Sequence, residues 1–273
     1  MDWNLLIEEE ARRRGLAIRT IETYQLCVTR FMRWIDKDQK SITKKDIKDF
    51  IDYLIKKDSS GSTINVYVNA LKFFLEEVLA KKVLFKIKYS KTPKSLPVFL
   101  SKDEVRILIS KILNVKHKLM VELMYSAGLR VSEVLNLKVE DIELNSKIGW
   151  VRNGKGNKDR IFIIAESLVQ RIGGFIVLNC INGGYIFSGS DGKKLSSRTL
   201  HNVVKAAAKK ARISKNVHCH TLRHSFATHL IENGYDVASV QSLLGHNSAK
   251  TTMVYVHVAS PKLINVKSPY DGI

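Results

Sequence analysis

Between residues 2 and 80, apolar side chains recur every three or four positions in four stretches separated by short polar breaks. Asp2 is placed to cap a helix that runs to about Arg14 and ends at Gly15. From Thr20 to Asp36 the apolar positions Ile21, Tyr24, Val28, Phe31, Met32 and Ile35 fall on one helical face. Thr43 caps a third helix, KKDIKDFIDYLIKK, with Ile47, Phe50, Ile51 and Leu54 in line. SSGS at 59–62 reads as a loop, and TINVYVNALKFFLEEVLA reads as a fourth helix. Four amphipathic helices with short connections predict a small bundle.

The pattern breaks between about Val83 and Pro97, where KIKYSKTPKSLP holds two of the chain's four prolines among repeated lysines. It resumes at Ser101, whose spacing to Glu104 is that of a capping box. VELMYSAGLRVSEVLNL reads as helix, glycine-containing turn and helix. IELNSKIGWVRNGKGNKDRIFII predicts three short strands, 142–146, 148–153 and 159–164, with NGKGNK as the hairpin loop between the last two. Helices follow over SSRTLHNVVKAAAKKARI, from Thr221 to Asn233, over DVASVQSLL and over AKTTMVYVHV. The prediction is a mainly α (α+β) chain: a four-helix domain over 1–83, a basic linker over 84–97, and a helical domain over 98–273 with a small three-stranded antiparallel sheet.

Charge adds a partner to this outline. The chain of 273 residues has 45 Lys+Arg against 26 Asp+Glu, a formal net charge of +19. Such a surplus points to a polyanion, because each phosphate matched releases counterions. Residues 1–90 carry 18 basic and 13 acidic side chains and the remainder 27 and 13, so the heavier electrostatic footprint is in the second domain. The lysine-rich linker is placed to cross a nucleic-acid backbone between the two domains. The three scattered cysteines, Cys27, Cys180 and Cys219, form no CxxC, which argues against a disulfide framework or a zinc ribbon. The first residues lack an apolar signal core, and no apolar run approaches a membrane-spanning length. A soluble, cytoplasmic protein is expected.

Four segments carry candidate chemistry. Arg130 follows AGL in a turn between helices, and Lys155 sits between Gly154 and Gly156 at the hairpin tip. HTLRHSFATHL places His220 and Arg223 three residues apart on a helix, so that both reach one anion. His220 and His224 have the i,i+4 spacing of a metal pair. His229 is rotated roughly 140° from His224, however, and no acidic side chain lies nearby before Glu232, so no metal site and no cofactor are expected. Two guanidiniums can grip the non-bridging oxygens of a phosphodiester bidentately. Histidines can add hydrogen bonds as charge builds, and an ammonium can protonate a departing alkoxide. Tyr255, nine residues after His246, is the candidate phenolic nucleophile. The other eight tyrosines lack a histidine and basic partners at comparable spacing.

AGLRVSEVLNL (127–137), RNGKGNKDR (152–160), HTLRHSFATHL (220–230) and LLGHNSAKTTMVYVHV (243–258), in this order, resemble the tyrosine recombinase family and within it the Xer-type site-specific recombinases. The resemblance implies an N-terminal SAM-like core-binding domain ahead of a catalytic domain. It implies a metal-independent reaction that cuts and rejoins DNA strands through a 3′-phosphotyrosine. By motif, Arg130 and Arg223 grip the scissile phosphate and Lys155, rather than Lys158, is the general acid. His220 is base or proton relay, His246 donates to the phosphate, Tyr255 is the nucleophile and Glu133 is a supporting acidic residue. The partners implied are a double-stranded recombination site and further copies of the chain, as a tetramer on DNA. The absence of an arm-binding domain ahead of the first helix disfavours the phage integrases that need such an arm, and a Xer-like role in chromosome dimer resolution is expected. A short integrase of a plasmid or virus, a type IB topoisomerase and a catalytically silent DNA-binding protein of the same fold are the rival readings. The tail after Tyr255 is short and holds two prolines, so exchange of a C-terminal helix between protomers is left open.

Overall fold

In a computed structural model the described residues are 2–81, 90, 96–152, 159–189, 192–245 and 249–258. They fall in two compact units, 1–95 and 96–273. Most of the expected linker lies outside the described residues, as do Lys155, Lys158, His246 and the tail from 259.

The first unit is built of α1 (Trp3–Arg13), α2 (Ile18–Ile35), α3 (Lys44–Lys56) and α4 (Gly61–Lys72), with a π-helical turn over Phe73–Val78 continuing α4. Asp2 caps α1, accepting from the backbone N–H of Asn4. Thr43 and Asp46 form a capping box on α3. The aligned apolar faces close into one core, with Ile7, Val28, Phe31, Ile47, Phe50, Leu54, Leu71 and Phe74 buried. α2 begins at Ile18, two residues ahead of expectation. Its N-cap, Ala17, makes no side-chain bond, so the sequence carries no polar signal there.

The second unit comprises α5 (Lys102–Ser110), α6 (Val115–Ser126), α7 (Val131–Asn136), β1 (Ile142–Glu143), β2 (Ile148–Val151), β3 (Arg160–Ile163), α8 (Glu166–Leu178), α9 (Ser197–Lys210), α10 (Cys219–Glu232), α11 (Val237–Leu244) and α12 (Ala249–Val258). The sheet is antiparallel in the order β1-β2-β3, with Val151 opposite Arg160 at the last described pair. β1 is shorter than the expected strand because Leu144–Lys147 form a turn, with Lys147 at positive φ. α8 has no counterpart in the sequence reading, where Gly173-Gly174 interrupts the apolar pattern.

α10 is central to this unit. Cys219, Leu222, Arg223, Ser225, Phe226, Ala227, Thr228 and His229 are all buried, and α6, α9, α11 and α12 pack around it. A helix buried nearly all round needs partners for its polar groups. The Ser225 hydroxyl donates to the Thr221 carbonyl and accepts from the Leu100 N–H. Among the described residues, no helix is long and apolar enough to cross a membrane.

Candidate active site

The site is assembled around one buried carboxylate. Arg130 is the N-cap of α7, and Glu133 lies one turn into that helix. One Glu133 oxygen accepts the Arg130 backbone N–H at 2.7 Å. The other accepts from the Arg130 guanidinium at 2.7 Å. From β3, Arg160 donates to both oxygens, at 2.9 and 2.8 Å. Arg223 of α10 lies 3.8 Å away. Burial alone would raise the Glu133 pKa; the hydrogen bonds and charge of Arg160, with those of Arg130, lower it on balance. The carboxyl is therefore an anion at neutral pH. Three guanidiniums share it, which leaves two positive charges unmatched by that carboxylate.

Arg223 is only 3% exposed. It donates to the Gly128 carbonyl at 2.6 Å and to the Leu244 carbonyl. These bonds orient the guanidinium without neutralising it. The turn that supplies the first carbonyl depends on its glycine. Gly128 has φ +62°, and a Cβ there would lie 2.4 Å from the Phe226 ring. Gly245 closes α11 at φ +62°, and a Cβ on it would meet the Arg160 side chain at 2.7 Å. Arg160 also donates to the Leu243 carbonyl at 3.0 Å. It therefore ties the hairpin to the Glu133 carboxylate and to the end of α11. At the base of the hairpin loop, Arg152 pairs with Asp159 at 3.0 Å.

Tyr255 of α12 is 3% exposed, packed with Phe226, Ala227, Val240 and Leu244. Its hydroxyl lies 2.9 Å from Nδ1 of His224. Burial raises the phenol's pKa, while the positive charges of Arg223 and Arg130 act to lower it. The ring is thus within electrostatic reach of both arginines. Tyr125 has a histidine as well, its hydroxyl 2.9 Å from Nδ1 of His229. Burial raises this phenol's pKa too, but its charged neighbour is Glu232, which pushes in the same direction. The guanidiniums, more than the histidine, set Tyr255 apart from Tyr125.

His220 is exposed at the start of α10. Its ring centroid is 6.4 Å from that of His224 and 6.3 Å from that of His218. Desolvation by the surrounding protein lowers its pKa, with the charges of His218, Arg223 and Arg130 adding to the effect. Burial, with the charges of His220, His218 and Arg223, pushes His224 down to about 4. Among the described residues no cluster of three or more His, Cys, Asp or Glu side chains is arranged to hold a metal.

The structure thus brings Arg130, Glu133, Arg223 and Tyr255 together, with His220 two rings along from the phenol. Two residues had no role in the sequence reading. Arg160 closes a quoted motif without any sign of what it meets. His224 was weighed only as half of a metal pair, although its i,i+4 spacing to His220 marked a shared face.

Residues 78–261 match the Phage integrase family, and residues 5–84 match the Phage integrase, N-terminal SAM-like domain. The chain is 36% identical over 252 residues to the tyrosine recombinase XerA of Pyrococcus horikoshii, covering 91% of this chain and 86% of that protein. The crystal structure of a XerA recombinase superimposes with a TM-score of 0.57 at 31% identity, covering 97% of this chain and 96% of the other. The XerH site-specific recombinase bound to its difH substrate, in the pre-cleavage complex, shares the fold at a TM-score of 0.75 and 22% identity, over 94% of this chain and 82% of that one. With two matched segments spanning nearly the whole chain, and a cationic pocket beside a buried tyrosine, this protein belongs to the phage integrase family, that of the tyrosine recombinases.

Proposed function

We propose that the protein is a Xer-like site-specific recombinase that cuts and rejoins DNA strands through Tyr255. The observation that carries this reading is the pairing of a buried phenol with two arginines whose charge the neighbouring carboxylate only partly matches. An incoming phosphodiester supplies the missing negative charge. Arg130 and Arg223 bind its non-bridging oxygens, where charge builds during in-line attack. The Tyr255 oxygen bonds to phosphorus, the bond to the 5′ oxygen breaks, and a 3′-phosphotyrosine forms. Lys155 protonates the leaving oxygen, while His220 relays protons and His246 donates to the phosphate. The 5′-hydroxyl of a second strand then reverses the step, so the bond energy is conserved without a nucleotide cofactor.

Glu133 orients Arg130 while Arg160 braces it. The natural partner is a double-stranded recombination site, held by both units and bound by four copies of the chain. Cytoplasmic chromosome dimer resolution is the cellular role that agrees with the Xer-named relatives.

The test is a suicide duplex, nicked so that the cut strand diffuses away, bearing a site recovered by selection from a randomised duplex library. Wild-type protein becomes covalently attached in the presence of EDTA, and Tyr255→Phe does not. An adduct formed by Tyr255→Phe overturns the reading, as does a strict requirement for a divalent ion.

A further inference from the structure

The residue next to the phenol is His224, and the proposed function leaves it without a task. Its Nδ1 is 2.9 Å from the Tyr255 hydroxyl, and the two rings are tilted at 45° with centroids 5.7 Å apart. The His220 ring centroid lies 6.4 Å from that of His224, and the His218 centroid 6.3 Å from that of His220. The order is therefore Tyr255, His224, His220, His218. Both members of the first pair are held from outside. α10 is buried along most of its length, and α12 packs on α10 and α11. Neither ring needs to move for a proton to pass between them.

We propose that His224 is a catalytic residue: it takes the phenolic proton of Tyr255 as the strand is cut and returns it as the strand is rejoined. The inference rests on the reading of Tyr255 as the nucleophile. In the tautomer with hydrogen on Nε2, Nδ1 accepts from the hydroxyl. During cleavage the Oη–P bond forms and the P–O5′ bond breaks. The proton on Oη moves to Nδ1, and the 5′ oxygen takes a proton from the general acid. Rejoining runs the same transfers backwards, so no oxidant, reductant or further reactant is required.

The surroundings fit this duty. The charged and titratable groups facing His224 are His220 and Arg223 from its own helix, His218 at that helix's N-cap, and the Tyr255 phenol from α12, itself within reach of Arg130. Burial and these cations keep the free imidazole neutral at neutral pH, so its lone pair is available. A bound phosphodiester adds a negative charge to the same pocket, and the transition state adds another. Both favour the imidazolium. The base is thus weak while the site is empty and strengthens as the substrate arrives. His220, one ring further on, is placed to pass the charge toward solvent.

The experiment uses full-length protein and the nicked duplex described above, and measures the rate of covalent attachment from about pH 6 to about pH 9. His224→Asn keeps an acceptor near the Nδ1 position but cannot take a proton. Its attachment rate is expected to fall about 10²- to 10⁴-fold while affinity for intact duplex is unchanged. The remaining rate should climb about tenfold per pH unit as hydroxide replaces the missing base. His224→Ala should regain attachment when imidazole is added to the buffer, and this variant serves if the asparagine variant does not fold. A His224→Asn protein that attaches at the wild-type rate with the wild-type pH profile overturns the inference, as does folded His224→Ala that imidazole fails to rescue. In either case, loss of the adduct in Tyr255→Phe leaves the nucleophile assignment standing. An adduct in Tyr255→Phe removes both.

Discussion

Arg160 and Glu133 meet through two parallel hydrogen bonds of 2.9 and 2.8 Å, and the carboxylate that receives them also holds Arg130 by its backbone and its side chain. Both partners are largely withdrawn from solvent. Removing Arg160 strips the carboxylate of two charge-assisted hydrogen bonds while Arg130 still holds it, and a hydrogen bond to a charged group typically contributes about 1.5–3 kcal/mol. Arg160→Ala should therefore lower the stability of the full chain by about that amount, read as a shift in urea midpoint. Arg160→Lys keeps the charge but loses the fork, so it should fall between the two. An alanine variant as stable as wild type would show that the pair braces nothing.

Two tyrosines have histidine partners at the same distance, and only one faces the arginines. Tyr255→Phe should abolish covalent attachment to DNA, while Tyr125→Phe should retain it. A gel that separates free from DNA-linked protein reads both. Loss of attachment in a folded Tyr125→Phe protein would contradict the electrostatic distinction between them.

Gly128 has two reasons to be glycine: its φ of +62° and the Phe226 ring 2.4 Å from where a Cβ would stand. Gly128→Ala should cost about 1–3 kcal/mol in backbone strain, with a comparable amount from overpacking against that ring. Because the Gly128 carbonyl receives Arg223, the surviving folded protein should also attach to DNA more slowly. Thermal unfolding and attachment rates measured on the same preparation test both halves.

Asp46 accepts from Lys37 at 2.7 Å and from the Thr43 N–H and hydroxyl at 2.8 and 2.7 Å. The Lys37 ammonium, followed by the Thr43 hydroxyl, pulls its carboxyl down from 3.8 to about 2. A depressed carboxyl contributes stability that is present above its unfolded value and lost as pH falls through its folded one. Asp46→Asn should thus weaken the chain by about 1–2 kcal/mol at neutral pH. The difference should shrink between about pH 4 and about pH 2. Denaturant midpoints of the two proteins, taken at several pH values, would show the curves converging. A gap that stays constant would rule out the linkage.

Net charge predicts the salt response. Affinity for duplex should fall linearly on a log–log plot, with a slope of about −0.9 for each phosphate contacted. Arg223→Lys should weaken attachment far more than it alters that slope, because it replaces a fork with a point charge at one phosphate.

Much of this architecture was legible from apolar periodicity. Ile47, Phe50, Ile51 and Leu54 mark α3, and the Thr43 box marks its start. DVASVQSLL marks α11. What escaped was of two kinds. α8 was hidden by Gly173-Gly174, because a pair of glycines inside an apolar run reads as a break when the neighbours that bury it are unknown. Arg160 and His224 escaped because their meaning lies in contacts across 27 and 31 residues of sequence. A motif gives a residue's neighbours along the chain and leaves open which distant group it will touch. Arg130, Glu133 and Arg223 were assigned through the motifs of the family resemblance, and the fold gathers the two arginines about the Glu133 carboxylate.

The three guanidiniums around the Glu133 carboxylate, with Arg223 buried and Arg130 and Arg160 half-buried, have a further consequence for the resting protein. Like charges held together away from water oppose folding, so the ligand-free molecule carries an internal repulsion that the Glu133 carboxylate only partly cancels. Small oxyanions in the buffer should settle there as placeholders, raising the melting temperature and slowing attachment to DNA in the same order. Part of the grip on a target strand is thus already present before any encounter, held as tension within the fold and released when the strand arrives.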